Sequence, residues 1–110
     1  MTIRMTVYRT DGSEHVTETS LPPRPSLDQI NAVLKPIFDG AYTEHVNVLV
    51  GSRYTDMFVD EDGLTKNLPR NEKATAIYRN NWLTQHPNTD PESMAFIVGP
   101  AVVFSDRVWY

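Results

Sequence analysis

The chain has 110 residues, no cysteine and a formal net charge of −4, with 40% apolar and 22% charged residues. Length and composition fit one globular domain over 1–110, and the lack of cysteine excludes a disulfide scaffold or a thiolate metal site. No window nears the roughly 20 apolar residues of a membrane span, and the first residues lack the apolar stretch of a signal peptide, so a cytoplasmic location and no membrane partner are expected.

Residues 3–8 alternate, with Ile3, Met5 and Val7 on one side and Arg4, Thr6 and Tyr8 on the other. That is strand periodicity. Asp11-Gly12 is a turn signal, and β-branched residues return over 14–20, so a hairpin is expected. Three prolines in Leu21-Pro22-Pro23-Arg24-Pro25 make a stiff connector. Ser26 with Gln29 three residues on matches a capping box. Leu27, Ile30, Val33, Leu34, Ile37 and Phe38 then form one helical apolar stripe, with Pro36 kinking or ending the helix. Residues 44–50 and 54–59 read as two strands joined at Gly51-Ser52. Asp60-Glu61-Asp62-Gly63 is a polar turn. Asn71 is a good N-cap for a second helix, with Ala74, Ile77, Tyr78 and Trp82 on its buried stripe and His86-Pro87 ending it. Residues 94–104 are the most apolar stretch. Pro100 lies within it and lacks a ladder donor, so a bulge, bend or edge is expected there. The order β-β-α-β-β-α-β predicts an α+β fold: an antiparallel or mixed sheet of about five strands with two helices on one face.

Three constellations could carry chemistry. The histidines His15, His45 and His86 lack helical metal-pair spacing and read as unrelated side chains. Asp56, Asp60, Glu61 and Asp62 form the densest acidic group. Carboxylates at a strand end are hard-cation ligands, which makes Asp56, Asp60 and Asp62 weak metal candidates, but their spacing misses the calcium loop and a solvated turn is the better reading. No nucleophile elbow or phosphate-binding glycine loop occurs, so no catalytic residue, metal or cofactor is assigned. In the second helix, Lys66, Arg70, Lys73 and Arg79 form a basic set inside an acidic chain. Asn80, Asn81, Trp82, Gln85 and His86 follow. Arg, amide and aromatic side chains are the groups that hold a nucleotide or a nucleic-acid strand. The same groups are ordinary on a solvated helix face. Edge strands and the terminal Trp109-Tyr110 suit a homodimer.

The runs Met57-Phe58-Val59-Asp60-Glu61-Asp62-Gly63, Leu68-Pro69-Arg70-Asn71, Ala74-Thr75-Ala76-Ile77-Tyr78 and Ile97-Val98-Gly99-Pro100-Ala101-Val102-Val103 resemble, in this order, a small domain family of unknown function carried by bacteriophages and mobile elements. The resemblance covers roughly the C-terminal half. It implies no enzymatic residues. It implies a phage accessory binding protein acting in the cytoplasm of the bacterial host. Interference with a defence system is the expected role (anti-CRISPR or another anti-defence type), through a host protein complex or a small nucleotide ligand. The alternative is a nucleic-acid or nucleotide-binding module using the 66–86 face, and the third reading is a metal-dependent hydrolase.

Overall fold

The first turn forms as its residues dictate. Asp11 Oδ1 accepts from Ser13 N at 2.8 Å, and Gly12 takes φ of 90°, where a side chain would be strained. The Ser13 hydroxyl and amide hold the Asp11 carboxyl below its ordinary range. This turn joins β1 (Arg4–Tyr8) to β2 (Glu14–Glu18). The computed structural model describes residues 3–51 and 53–108, so Ser52 and the terminal Trp109-Tyr110 lie outside the described residues.

Ser26 begins α1 (Leu27–Leu34) through the expected capping box: Gln29 N donates to Ser26 Oγ at 3.2 Å, and Ser26 N donates to Gln29 Oε1 at 2.8 Å. Two donors that a helix start leaves without partners are thereby satisfied. Pro36 has no N–H to extend the ladder. The chain instead tightens, with Ile37 N and Phe38 N both donating to Leu34 O. Phe38 stays on the buried stripe with Ile30 and Leu34.

β3 (Thr43–Val50) and β4 (Arg53–Asp60) form a second hairpin, and β5 (Ala101–Phe104) closes the sheet. The strand order is β2-β1-β5-β4-β3, and every pair is antiparallel. The five strands and the β-β-α-β-β-α-β order are as expected from the sequence. Two details differ. First, the helices cover opposite faces and do not share one. Ile30 and Leu34 of α1 pack with Met5, Val7, Phe58, Val102 and Phe104. Ala74, Ile77 and Tyr78 of α2 (Glu72–Gln85) pack with Val48, Met57, Val59, Ala101 and Val103. Met57, Phe58 and Val59 in β4 and all four residues of β5 are buried, so the central strands are apolar on both sides. A strand with two apolar faces needs cover on both. Second, the chain bends at Gly99, with φ of 76°, as expected, but the segment after Pro100 is not an edge: β5 is the central strand. Pro100 stands just before its first residue, where its missing N–H interrupts no ladder bond.

Asn71 sets the start of α2 and does more than cap it. Its side chain is fully buried. Oδ1 accepts from Ala74 N at 3.1 Å, while Nδ2 donates to Tyr8 O at 2.9 Å and to Gly99 O at 2.8 Å. One amide thus ties the helix start to the end of β1 and to the loop entering β5. The approach is close on this side. A Cβ on Gly63 would sit 2.7 Å from Val98 Cγ2, so only glycine fits there.

Candidate functional site

The second-helix residues singled out by type are largely engaged inside the chain. Lys66 Nζ pairs with Asp60 Oδ2 at 2.8 Å, and Lys73 Nζ with Glu14 Oε1 at 2.8 Å. Arg70 Nε pairs with Glu72 Oε1 at 3.0 Å, and its guanidinium lies 5.2 Å from the centre of the Phe96 ring. Arg79 donates to Ala95 O and Met94 O at 3.4 and 3.2 Å. Asn81 Nδ2 donates to Asn47 O at 3.2 Å, and Gln85 Nε2 to Tyr54 OH at 3.0 Å. Asn80 is exposed, and its carbonyl accepts from Thr84 Oγ1. Trp82 is 41% exposed and does not lie on the buried stripe. It stacks on His86 at 4.2 Å and 17° and donates from Nε1 to Thr89 Oγ1.

These contacts have a pattern. Asn71, Thr75 and Arg79 lie four residues apart, on one line of α2. Asn71 N donates to Ile97 O, Ile97 N donates to Thr75 Oγ1 at 2.9 Å, and Arg79 reaches residues 94 and 95. The 94–99 segment has only an isolated bridge, between Val98 and Arg70, in place of a strand partner. The Asn71 and Thr75 side chains meet Gly99 O and Ile97 N, while the backbone at Asn71 and Pro69 meets Ile97 O and Gly99 N.

The acidic group does not converge. Asp60 accepts from Lys66 and from Asp62 N, making an exposed turn with Asp62. Asp56 lies four residues earlier on β4, roughly 13 Å away at the usual strand rise. Among the described residues, no cluster of three or more His, Cys, Asp or Glu could hold a metal ion. Asp56, Asp60 and Asp62, the weak metal candidates, are thus not brought together. Asp56 is structural: it is fully buried, accepting from Val108 N at 2.6 Å through Oδ2 and contacting His45 Nε2 at 2.5 Å through Oδ1. A buried carboxylate is tolerated when donors meet it, as they do here.

His45 is the residue that sequence reasoning left unassigned. In the β3–β4 register it faces Phe58, while Asn47 faces Asp56. His45 and Asp56 are thus diagonal neighbours on one face of the sheet. Counting outward from the Val50–Arg53 pair places them together. The His45 ring lies 5.4 Å from that of Phe58, and its side chain is 23% exposed.

His45 and Phe58 line a groove of about 580 Å³ between α1 and the outer strands. Its apolar walls are Leu27, Leu34, Ala41, Tyr42 and Phe58, and its polar lining is Asn31, Lys35, Thr43 and His45. Leu27 is 55% exposed and Tyr42 79% exposed. The groove opens because α1 is short. Eight residues of helix span about 12 Å, whereas eight residues of strand span about 26 Å. The chain matches no protein-family model, no curated protein and no solved structure.

Proposed function

We propose that this protein acts by binding and not by catalysis, with the groove between α1 and β3 as its contact surface. One observation carries this reading: an apolar groove of about 580 Å³ with a few polar groups in its lining. Ligand sites are typically concave, mostly apolar and of about 300–1,000 Å³. Leu27 and Tyr42 supply the exposed apolar contact area. The resemblance to phage-borne domains supplies the setting: interference with a host defence process in the bacterial cytoplasm, through a host protein complex or a small nucleotide.

A second reading places the contact on the α2 face. The exposed Trp82–His86 stack favours it, because bases stack on such rings, Lys73 and Arg79 stand along the same helix and Arg70 lies just before it. The ion pairs of Arg70 and Lys73 are weak enough to open for a phosphate, while Arg79 would have to leave two backbone carbonyls.

A tagged pull-down from bacterial lysate separates the two readings, with mass spectrometry of proteins and small molecules in the eluate. Three proteins are compared: the native chain, Leu27→Glu with Tyr42→Ala, and Arg70→Ala with Lys73→Ala and Arg79→Ala. Retention by the last and loss by the groove variant is expected. The reverse pattern, with salt-sensitive capture, moves the function to the α2 face. No effect on phage plating would remove the defence setting.

A further inference from the structure

The two edges of the sheet are guarded differently. At one edge, β2 is five residues long, exposed throughout, and bears Glu14 and Glu18. At the other, β3 runs eight residues without a proline, a lysine or a bulge, and Glu44 is its single permanent charge. A long apolar edge of that kind is a template for another strand. The register assigns its backbone groups. Tyr42 O accepts from Glu61 N, and the unbroken pairing then directs residues 44, 46, 48 and 50 to β4. Thr43, His45, Asn47 and Leu49 direct their backbone groups outward. Asn81 Nδ2 meets Asn47 O from that side, which leaves this carbonyl a second lone pair.

From this we infer that two copies of the chain pair antiparallel along β3, joining two five-stranded sheets into one. The strand is complementary to itself in one register, with Val46 on the two-fold axis opposite Val46 of the second copy. Thr43 then stands opposite Leu49, and His45 opposite Asn47. All four outward residues of each copy are paired, and about eight backbone bonds join the copies. Beyond them Tyr42 meets Val50 at both ends; these residues are 79% and 49% exposed in the single chain. Glu44 faces Val48, and the two Glu44 carboxylates stay about 14 Å apart, beyond the Debye length of about 8 Å at physiological salt. The same operation on β2 sets Glu14 directly opposite Glu18 on both sides of its axis, and like charges so placed destabilise a pair. Lys73, bound to Glu14, offsets only part of this. A second copy thus fits β3 and not β2. The pairing does not rest on the groove reading. Tyr42, Thr43 and His45 belong to both surfaces, so the test uses Val16, Val46 and Asn47, which lie outside the groove lining.

Sedimentation equilibrium of the full chain from about 1 to 100 µM tests the pairing, and the mass should approach twice the 12.5 kDa of one chain. Asn47→Pro removes an outward N–H and no bond to β4, and should weaken the dimer about tenfold or more with the circular dichroism unchanged. Asn47→Lys, which guards the edge with a charge and leaves the backbone intact, should act in the same direction if the proline variant fails to fold. The chain has no cysteine, so single cysteines report the register. Residues opposed without backbone bonds have Cα atoms about 4.5 Å apart, close enough for a disulfide. Val46→Cys should therefore cross-link two copies on mild oxidation. Val16→Cys, on the exposed β2, should not. A monomer over the whole range would overturn the proposal, as would a dimer that both Asn47 variants leave intact. Cross-linking by Val16→Cys as fast as by Val46→Cys would place the contact elsewhere and overturn it too. A chain that stays monomeric, yet loses a captured host protein on Asn47→Lys, would replace the second copy by a foreign strand.

Discussion

The two faces of the sheet are covered in different ways. On the α2 face, polar side chains hold the structure: Asn71, Thr75, Arg79 and Asn81 each bond a backbone group of another segment. On the α1 face the cover is apolar, through Ile30, Leu34 and Phe38, and it stops short of the outer strands. The difference reverses the impression that residue types give. Arg, Asn and Thr on α2 look like ligand-binding groups, yet several are occupied with the 94–99 segment. The α1 region looks like plain core packing, and it leaves a groove open.

The sharpest way to break this comparison is to remove the head of the polar row. Asn71→Ala takes away an N-cap and two buried side-chain donors, leaving Gly99 O without its partner. A lost cap costs about 1 kcal/mol and an unsatisfied buried acceptor about 1–3 kcal/mol, so a loss of about 3 kcal/mol is expected in urea unfolding. A loss below about 1 kcal/mol would mean that apolar contacts alone hold α2 to the sheet.

A smaller effect sharpens the same point within the basic set. Arg79 is half-buried and serves two carbonyls, whereas Lys73 meets an exposed Glu14. Arg79→Ala should therefore cost about 1 kcal/mol, and Lys73→Ala under about 0.5 kcal/mol, by thermal or urea unfolding. Equal, negligible costs would return Arg79 to the solvated surface and strengthen the α2 binding reading.

What was legible in the sequence follows from which interactions are local. The Ser26–Gln29 capping box, the Asn71 cap and the Asp11-Gly12 turn depend on neighbours within three residues, and all form as read. The placement of α1 and α2 on opposite faces is not local. Its signal was present in Ala101-Val102-Val103-Phe104 and Met57-Phe58-Val59, whose unbroken apolar runs ask for cover on both sides. The bend expected at Gly99-Pro100 is present at Gly99, whereas the edge alternative gave the proline weight that belongs only to a residue inside a ladder. The candidate site was legible in part. Asp56 stood out as an acid, but its partners are His45 across a hairpin and the backbone at Val108, some fifty residues away in sequence. No spacing rule reports a pairing of that length. Leu27 was assigned to the buried stripe by periodicity, and a helix too short to cover its sheet left it in the open.

The smallest expected effect lies at the β1 end of the polar row, where pH reaches it. Tyr8 packs beside the α2 cluster, and its carbonyl accepts from Asn71. Burial raises its phenol above the ordinary value; the Glu14 carboxylate raises it further, and the Lys73 ammonium partly offsets both. Ionisation is therefore harder in the folded state than in the unfolded one. The folded chain keeps the phenol proton over a range where the unfolded chain has lost it, so this contribution is full below about pH 10 and is lost as pH rises through the raised value. Urea stability measured from pH 8 to 11 should fall at the alkaline end, and Tyr8→Phe should fall less steeply, the remaining tyrosines being common to both. Lys73→Ala removes the one favourable charge near the phenolate, and should move the Tyr8 absorbance transition to still higher pH. If Tyr8→Phe followed the same alkaline curve as the native chain, Tyr8 would not be held as a neutral group against α2, and the contact between β1 and α2 would rest on the Asn71 amide alone.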